Sequence, residues 1–400
     1  MMSSLPEQTS LQNGTSDLTA IQPVSQATGR VRLFFLDHLR ATLTILVVLF
    51  HLAAIYGANG AFYYVEAPSP QDQLARPVLL VFILVNQAYF MGCFFFISGY
   101  FTPGSFERKG PGVFYKDRLL RLGIPLIVFV FVLSPIASLG FYQTPAGFPH
   151  LTPSFTWQQL PSLLGVGPLW FAEMLLYFCL GYVLWRRLRR TQAKPSERVD
   201  PPPSYLVMGL FILALALVSY VLRIVVPFGL FIPILGFPTL CYLPQYLSFF
   251  ILGAFAFRRG WLQTIPGSMG KVGLVVAVVS TLVLLPLAFS GGTAFLGYGT
   301  WQSAVYALWD STFAVGACLA LLTFFRRFCN RQTRLSRFLS QQAFTVYILH
   351  IPIIVGLALA IRGIHLESLL KCALAAVLGI PLCFALAFLV RKIPFASRIL

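Results

Sequence analysis

Arg40 and His51 stand eleven residues apart in a stretch that is otherwise almost wholly apolar, RLFFLDHLRATLTILVVLFHLAAIY from Arg32 to Tyr56. Eleven helical steps of about 100° leave the two side chains roughly 20° apart around the axis and about 16 Å apart along it. Asp37 precedes Arg40 by one turn and falls close to the same stripe. Ionisable groups deep in an apolar helix are expensive and need a reason. The chemistry open to His51 is general-base attack on a hydroxyl, worth about 10²–10⁴ in rate, or transient carriage of an acyl group. A packing reading competes: a polar seam that holds neighbouring helices, with Arg40 reaching back to the interface. That reading suits Arg40 and Asp37 better than His51, which lies too deep to reach water from a lipid-facing position.

Three further helices contribute ionisable groups. Glu173 (GPLWFAEMLLYF) and Asp310 (WQSAVYALWDSTF) fall at a depth comparable to His51, so the three form one layer. A carboxylate there could orient an imidazole, as in hydrolase triads. The alternative is mutual satisfaction or pairing with Arg40. Asn86 lies slightly deeper, and His350 (FTVYILHIPIIV) lies near the middle of its apolar run. With Asp37 they are candidates to bind the substrate, and a lone interhelical hydrogen bond explains His350 equally well. Arg118 and Arg121 (KDRLLR) are three residues apart and share a helical face, a spacing suited to gripping phosphates. On residue type alone, interfacial anchoring is the better account of that pair.

The elements that must position these groups follow from composition. The chain has 400 residues, 58% hydrophobic and 10% charged, which describes an all-α polytopic membrane protein embedded in a lipid bilayer. Ten spans are expected: 33–57, 77–101, 123–142, 166–186, 205–226, 242–259, 271–289, 303–325, 341–361 and 370–390. The net charge of +17 does not indicate nucleic acid, because Lys and Arg sit in short clusters between apolar runs. Most of the 29 fall on one side, with Arg76, Arg223, Arg362 and Lys371 assigned to the other and Arg40 within a span. That bias places the basic side and both termini in the cytoplasm of a cell with the chain in its inner (plasma) membrane. The seven cysteines lack metal-ligand spacing and read as small apolar packing residues, so no metal is expected. Residues 1–30 read as a disordered cytoplasmic tail, not a cleaved signal peptide, followed by a membrane domain over 31–395. Segment 103–122 opens with Gly/Pro turns and continues as an amphipathic surface helix. An uncharged outer loop is expected at 143–165, and an inner linker at 187–204 ending in Pro201-Pro202-Pro203. No internal repeat is evident, which counts against transporters built from repeats.

The opening LDHLR, with Arg40 followed after ten residues by His51, resembles the membrane acyltransferase-3 family. Further similar segments follow in family order: FFFISGYF at 94–101, KDRLLRLGIPL at 116–126, PLWFAEMLLYF at 168–178, FFILGAFAFRRGWL at 249–262 and AFTVYILHIPII at 343–354. The resemblance implies transfer of an acyl group, acetyl or succinyl, from an acyl-CoA donor to a hydroxyl of a carbohydrate or other cell-envelope acceptor. It implies that His51 and Arg40 are catalytic. It also makes Arg118 and Arg121, which match the family's Arg-x-x-Arg, functional residues for the cofactor. The subgroup that modifies periplasmic glucans is similar.

The resulting expectation is a membrane O-acyltransferase. Acyl-CoA docks at Arg118 and Arg121, and the acceptor meets His51, Glu173 and Asp310 from the opposite side. The rival is a proton-coupled transporter using the same His, Glu and Asp as a relay. A structural scaffold explains the spans but not a polar layer shared among helices.

Overall fold

The computed structural model describes residues 33–57, 62–66, 72–144, 163–189, 200–230, 237 and 240–399. The tail expected at 1–30 lies outside the described residues, as do most of the 143–165 loop and the centre of the 187–204 linker. Among the described residues, nine helices are long and apolar enough to cross a membrane. They are α1 (Phe34–Tyr56), α2 (Ala75–Gln143), α3 (Gly167–Leu188), α4 (Tyr205–Val225), α5 (Leu240–Arg259), α6 (Gly267–Phe289), α7 (Trp301–Phe328), α8 (Arg334–Ala360) and α9 (Ser368–Arg391). The protein is an all-α polytopic membrane protein.

Nine helices replace ten expected spans because α2 contains two of them. Its 69 residues would reach about 100 Å if straight, far beyond a hydrocarbon core of about 30 Å. Gly110, at φ 73 and ψ 167, breaks it; that positive φ costs glycine little. The two halves then return to one face. Asp72, just before α2, accepts from the Ser368 amide at 3.0 Å, and Gln143 at its far end accepts from Arg362 at 2.6 Å. Arg362 belongs to the α8–α9 connection, and Ser368 is the first residue of α9. Of the Gly/Pro turns expected to open segment 103–122, none falls at Pro103, through which α2 continues, as membrane helices permit; the break comes at Gly110.

The arginine clusters share one face of the bundle. His38, near the start of α1, bonds the Cys329 carbonyl just past α7 at 2.5 Å, and Arg391 at the end of α9 donates to the Gln341 carbonyl near the start of α8. Within the bundle α1 packs against α2, α7, α8 and α9, and one buried cluster joins it to α2, α3, α5 and α7. A second joins its far half to α8 and α9. Helices α4, α6 and α9 leave most of their apolar surface exposed, as helices bathed in lipid do.

Close helix approach in lipid relies on small residues, because apolar side chains gain little by leaving the tails. Helices α2 and α5 meet through such a pair. A Cβ at Gly99 would collide with the Phe250 carbonyl oxygen, and one at Gly253 with that of Phe96. Gly99→Ala and Gly253→Ala are therefore expected to destabilise the protein by about 1–3 kcal/mol through overpacking. Gly181→Ala on α3, where a Cβ meets nothing within 4 Å, is the neutral control. Thermal unfolding of the three variants in detergent checks this; equal midpoints would show that the α2–α5 contact has room to spare.

Candidate active site

His51 lies on α1 one turn before Ile55, near the end remote from the arginine clusters. Its Nδ1 is 2.8 Å from the Val47 carbonyl oxygen. A carbonyl only accepts, so Nδ1 carries the proton. The same reasoning applies to His350 on α8, whose Nδ1 is 2.8 Å from the Tyr347 carbonyl. His350 Nε2 therefore holds a lone pair, and it lies 3.1 Å from His51 Nδ1. The His51 N–H is thus shared between Val47 and His350, which leaves the lone pair of His51 on Nε2. The rings are 4.9 Å apart. Phe50 meets the His51 ring edge-on, and Phe62 stacks on it at 5.2 Å with a 25° tilt.

This arrangement has the logic of a nucleophile-activating pair without a carboxylate. When His51 Nε2 takes a proton, its Nδ1–H still points at the His350 lone pair, which shares the positive charge. His350 is held in turn by its backbone bond and by Tyr347, whose ring stacks on it at 6.3 Å. The Tyr347 hydroxyl donates to the Pro168 carbonyl at the start of α3.

The other candidate residues lie in separate surroundings. Arg40 reaches back one turn to Asp37 at 3.3 Å, and both are half-buried on the His51 side of α1. Glu173 accepts from Tyr177 at 3.3 Å. It follows Phe171, which packs on Tyr347, by two residues, so it lies about 200° around α3 from that ring. Its Oε2 is buried without a hydrogen-bond partner among the described residues. Asn86 donates to the Phe82 carbonyl at 2.8 Å and accepts from Tyr89 at 3.2 Å. Asp310 pairs with Arg223, not Arg40, and the two side chains are 2% and 1% exposed. The arginine is boxed by the rings of Phe228, Tyr242 and Tyr306, at 4.7, 5.0 and 5.4 Å.

Arg118 and Arg121 face different surroundings although only three residues separate them. A π-helical turn begins at Leu119 and widens the angle between them. Arg118 lies over the Phe114 ring at 5.3 Å, and its Nε is buried without a partner among the described residues. Arg121 is 58% exposed and bonds Asp117 at 3.2 Å.

A family model described as an acyltransferase domain matches residues 33–391. The chain belongs to the membrane acyltransferase-3 family. It is an acyltransferase. Similar proteins include the glucans biosynthesis protein C of Salmonella heidelberg (strain SL476), of Salmonella schwarzengrund (strain CVM19633) and of Salmonella typhi. Each is 28% identical over 369 residues, covering 88% of this chain and 90% of the relative. No solved structure matches the chain.

Within this acyltransferase-3 chain the similar segments occupy definite places. The Arg40–His51 segment is the central helix, and the 343–354 segment supplies His350 and Tyr347. Gly99 and Gly253, from the 94–101 and 249–262 segments, make the α2–α5 contact. Sequence reasoning missed Phe62, Glu66 and the interior positions of Arg223 and Lys371. The two cations stand near the ends of apolar runs and read as loop charges. Yet Arg223 and Lys371 are buried, 1% and 3% exposed, each against a carboxylate. A signal existed for Arg223: an unpaired Asp310 deep in a span demands a cation somewhere.

Proposed function

We propose that the protein moves an acyl group, acetyl or succinyl, from a cytoplasmic acyl-CoA to a hydroxyl of a glucan of the cell envelope. The contact between His51 and His350 in an acyltransferase chain is the observation that carries this reading. The glucan acceptor is suggested by the relatives' name, glucans biosynthesis protein C. The arginine-rich face would lie in the cytoplasm of a cell bounded by this inner membrane, with both termini on that side.

In the proposed reaction an acceptor O–H gives its proton to His51 Nε2 as its oxygen attacks the thioester carbonyl. The Nδ1–H of His51 stays on His350 and Val47. The C–S bond then breaks, and the departing thiolate recovers the proton from Nε2. Arg40, on the same side of α1 and about 16 Å toward the basic face, would line the route of the pantetheine arm, with Asp37 orienting it. Asn86 would border the acceptor, whereas Glu173, on another side of α3 from Phe171 and bonded to Tyr177, is assigned no contact with it. Asp310 is given a structural role, since its partner Arg223 satisfies it. The proton-coupled transporter reading loses ground because the two histidines face each other and not a carboxylate relay.

The test is transfer by the purified chain in lipid nanodiscs, given acetyl-CoA or succinyl-CoA and glucan oligosaccharide. New ester on the oligosaccharide, found by mass spectrometry, supports the reading. Its absence with every donor, alongside proton-driven flux in vesicles, would replace it.

The two arginines are expected to contribute unequally to donor binding. Arg118 offers a buried N–H without a partner among the described residues, so Arg118→Ala should weaken acyl-CoA binding by about 1.5–3 kcal/mol, the worth of a charge-assisted bond. Arg121 is exposed and already paired with Asp117, so its loss should cost under about 1 kcal/mol. Isothermal titration with a non-hydrolysable acyl-CoA separates the two; equal losses would contradict the division of roles.

A further inference from the structure

Residues 62–66 form a strap between α1 and α2. It is tied at several points. The Glu66 amide donates to the Ile55 carbonyl at 3.0 Å, and the Val65 amide to Thr144 Oγ1 at 3.4 Å. Tyr64 lies against Gly140 so closely that a Cβ there would come 2.9 Å from it. The strongest tie is ionic. Lys371 on α9, 3% exposed, donates to the Glu66 carboxylate and, at 3.1 Å, to the Arg362 carbonyl. The Tyr64 hydroxyl donates to the other Glu66 oxygen at 3.5 Å. A buried ammonium is stable only when paired and hydrogen-bonded in this way.

The strap brings the Phe62 ring onto His51, where it stacks. That stacking, with Phe50 on the edge, limits rotation of an imidazole whose bond to His350 requires one orientation. Glu66 and Lys371 touch none of the groups proposed to react. Their link to His51 runs through Phe62.

We propose that the Glu66–Lys371 pair is a positioning device, which anchors the strap so that Phe62 holds the His51 ring with Nε2 presented to the acceptor. This deepens the reading of His51 as the base and rests on it. An ion pair that merely stapled the loop to α9 would change thermal stability and nothing else. A positioning pair changes kcat while leaving the donor KM alone, because donor binding lies toward the other face.

The experiment uses the full chain in nanodiscs with acetyl-CoA and glucan oligosaccharide. Phe62→Ala leaves the ion pair intact and should lower kcat by about ten- to a hundredfold, the usual cost of a misplaced reacting group. Phe62→Trp should retain most of it. Glu66→Gln should fall as far as Phe62→Ala, and the double variant no further, because both act on one ring. A second readout needs no turnover: carbethoxylation of His51 by diethyl pyrocarbonate, followed by peptide mass spectrometry, should quicken several-fold in Phe62→Ala and Glu66→Gln. Wild-type kcat in Phe62→Ala, unchanged carbethoxylation, or additive losses in the double variant would each overturn the proposal. If the wild type itself transfers no acyl group, the preceding reading fails, and the carbethoxylation rates still decide whether the pair positions His51.

Discussion

His51→Gln is expected to fold, insert and bind the acyl donor, and to lose acyl transfer by about 10²–10⁴-fold. Glutamine can keep the donation to the Val47 carbonyl that His51 makes at 2.8 Å, but it cannot take a proton. Because the missing interaction is made mainly in the transition state, kcat and kcat/KM should fall together. His350→Ala removes the lone pair 3.1 Å from His51 Nδ1 and should cost about 1–3 kcal/mol, or roughly five- to 150-fold. His350→Gln, which restores an acceptor oxygen, should recover part of that. On the His51→Gln background His350→Ala should add little, since the two histidines act as one unit. The measurement is turnover in nanodiscs at matched expression and unfolding midpoint. Activity of His51→Gln within a few-fold of wild type would remove the pair from the mechanism.

Asp310→Ala is expected to destabilise the fold by about 3–5 kcal/mol, because it strands the buried Arg223 without a counter-charge. The aromatic box around that guanidinium attracts it but does not replace a carboxylate. Replacing both partners together, Arg223→Met with Asp310→Leu, should recover most of the loss, since a buried ion pair is often no better than apolar residues of like volume. Unfolding in detergent measures the first half. The second half decides the role of Asp310. A refolded double variant that turns over at close to the wild-type rate makes the pair a structural tie between α4 and α7. A stable but inactive double variant would return Asp310 to the chemistry.

The Arg40–His51 stripe, the ten apolar runs and the clustered arginines were all legible in the chain, because each depends on neighbours in sequence. Helical periodicity puts Arg40 and His51 on one side whatever surrounds them, and hydropathy marks a span without reference to its partners. The pairing of Arg40 with Asp37 one turn away is local in the same sense. The reading of Arg118 and Arg121 as one face failed locally too, because a π turn altered the period assumed for them.

What only the tertiary structure decided is which polar group meets which. His350 lies 299 residues from the histidine it touches, and Lys371 lies 305 from Glu66. Arg223 and Lys371 sit near the ends of apolar runs, where residue type predicts a solvated cation; packing buried both by bringing a carboxylate to each. Phe62 belongs to no motif and gains its place on His51 from a strap tied to α2 and α9. The sequence by itself determined the helices, their apolar character and the acyltransferase signature. The identity of each buried partner was settled by side-chain packing between helices distant in the chain, where an unpaired charge or donor is too costly to leave alone.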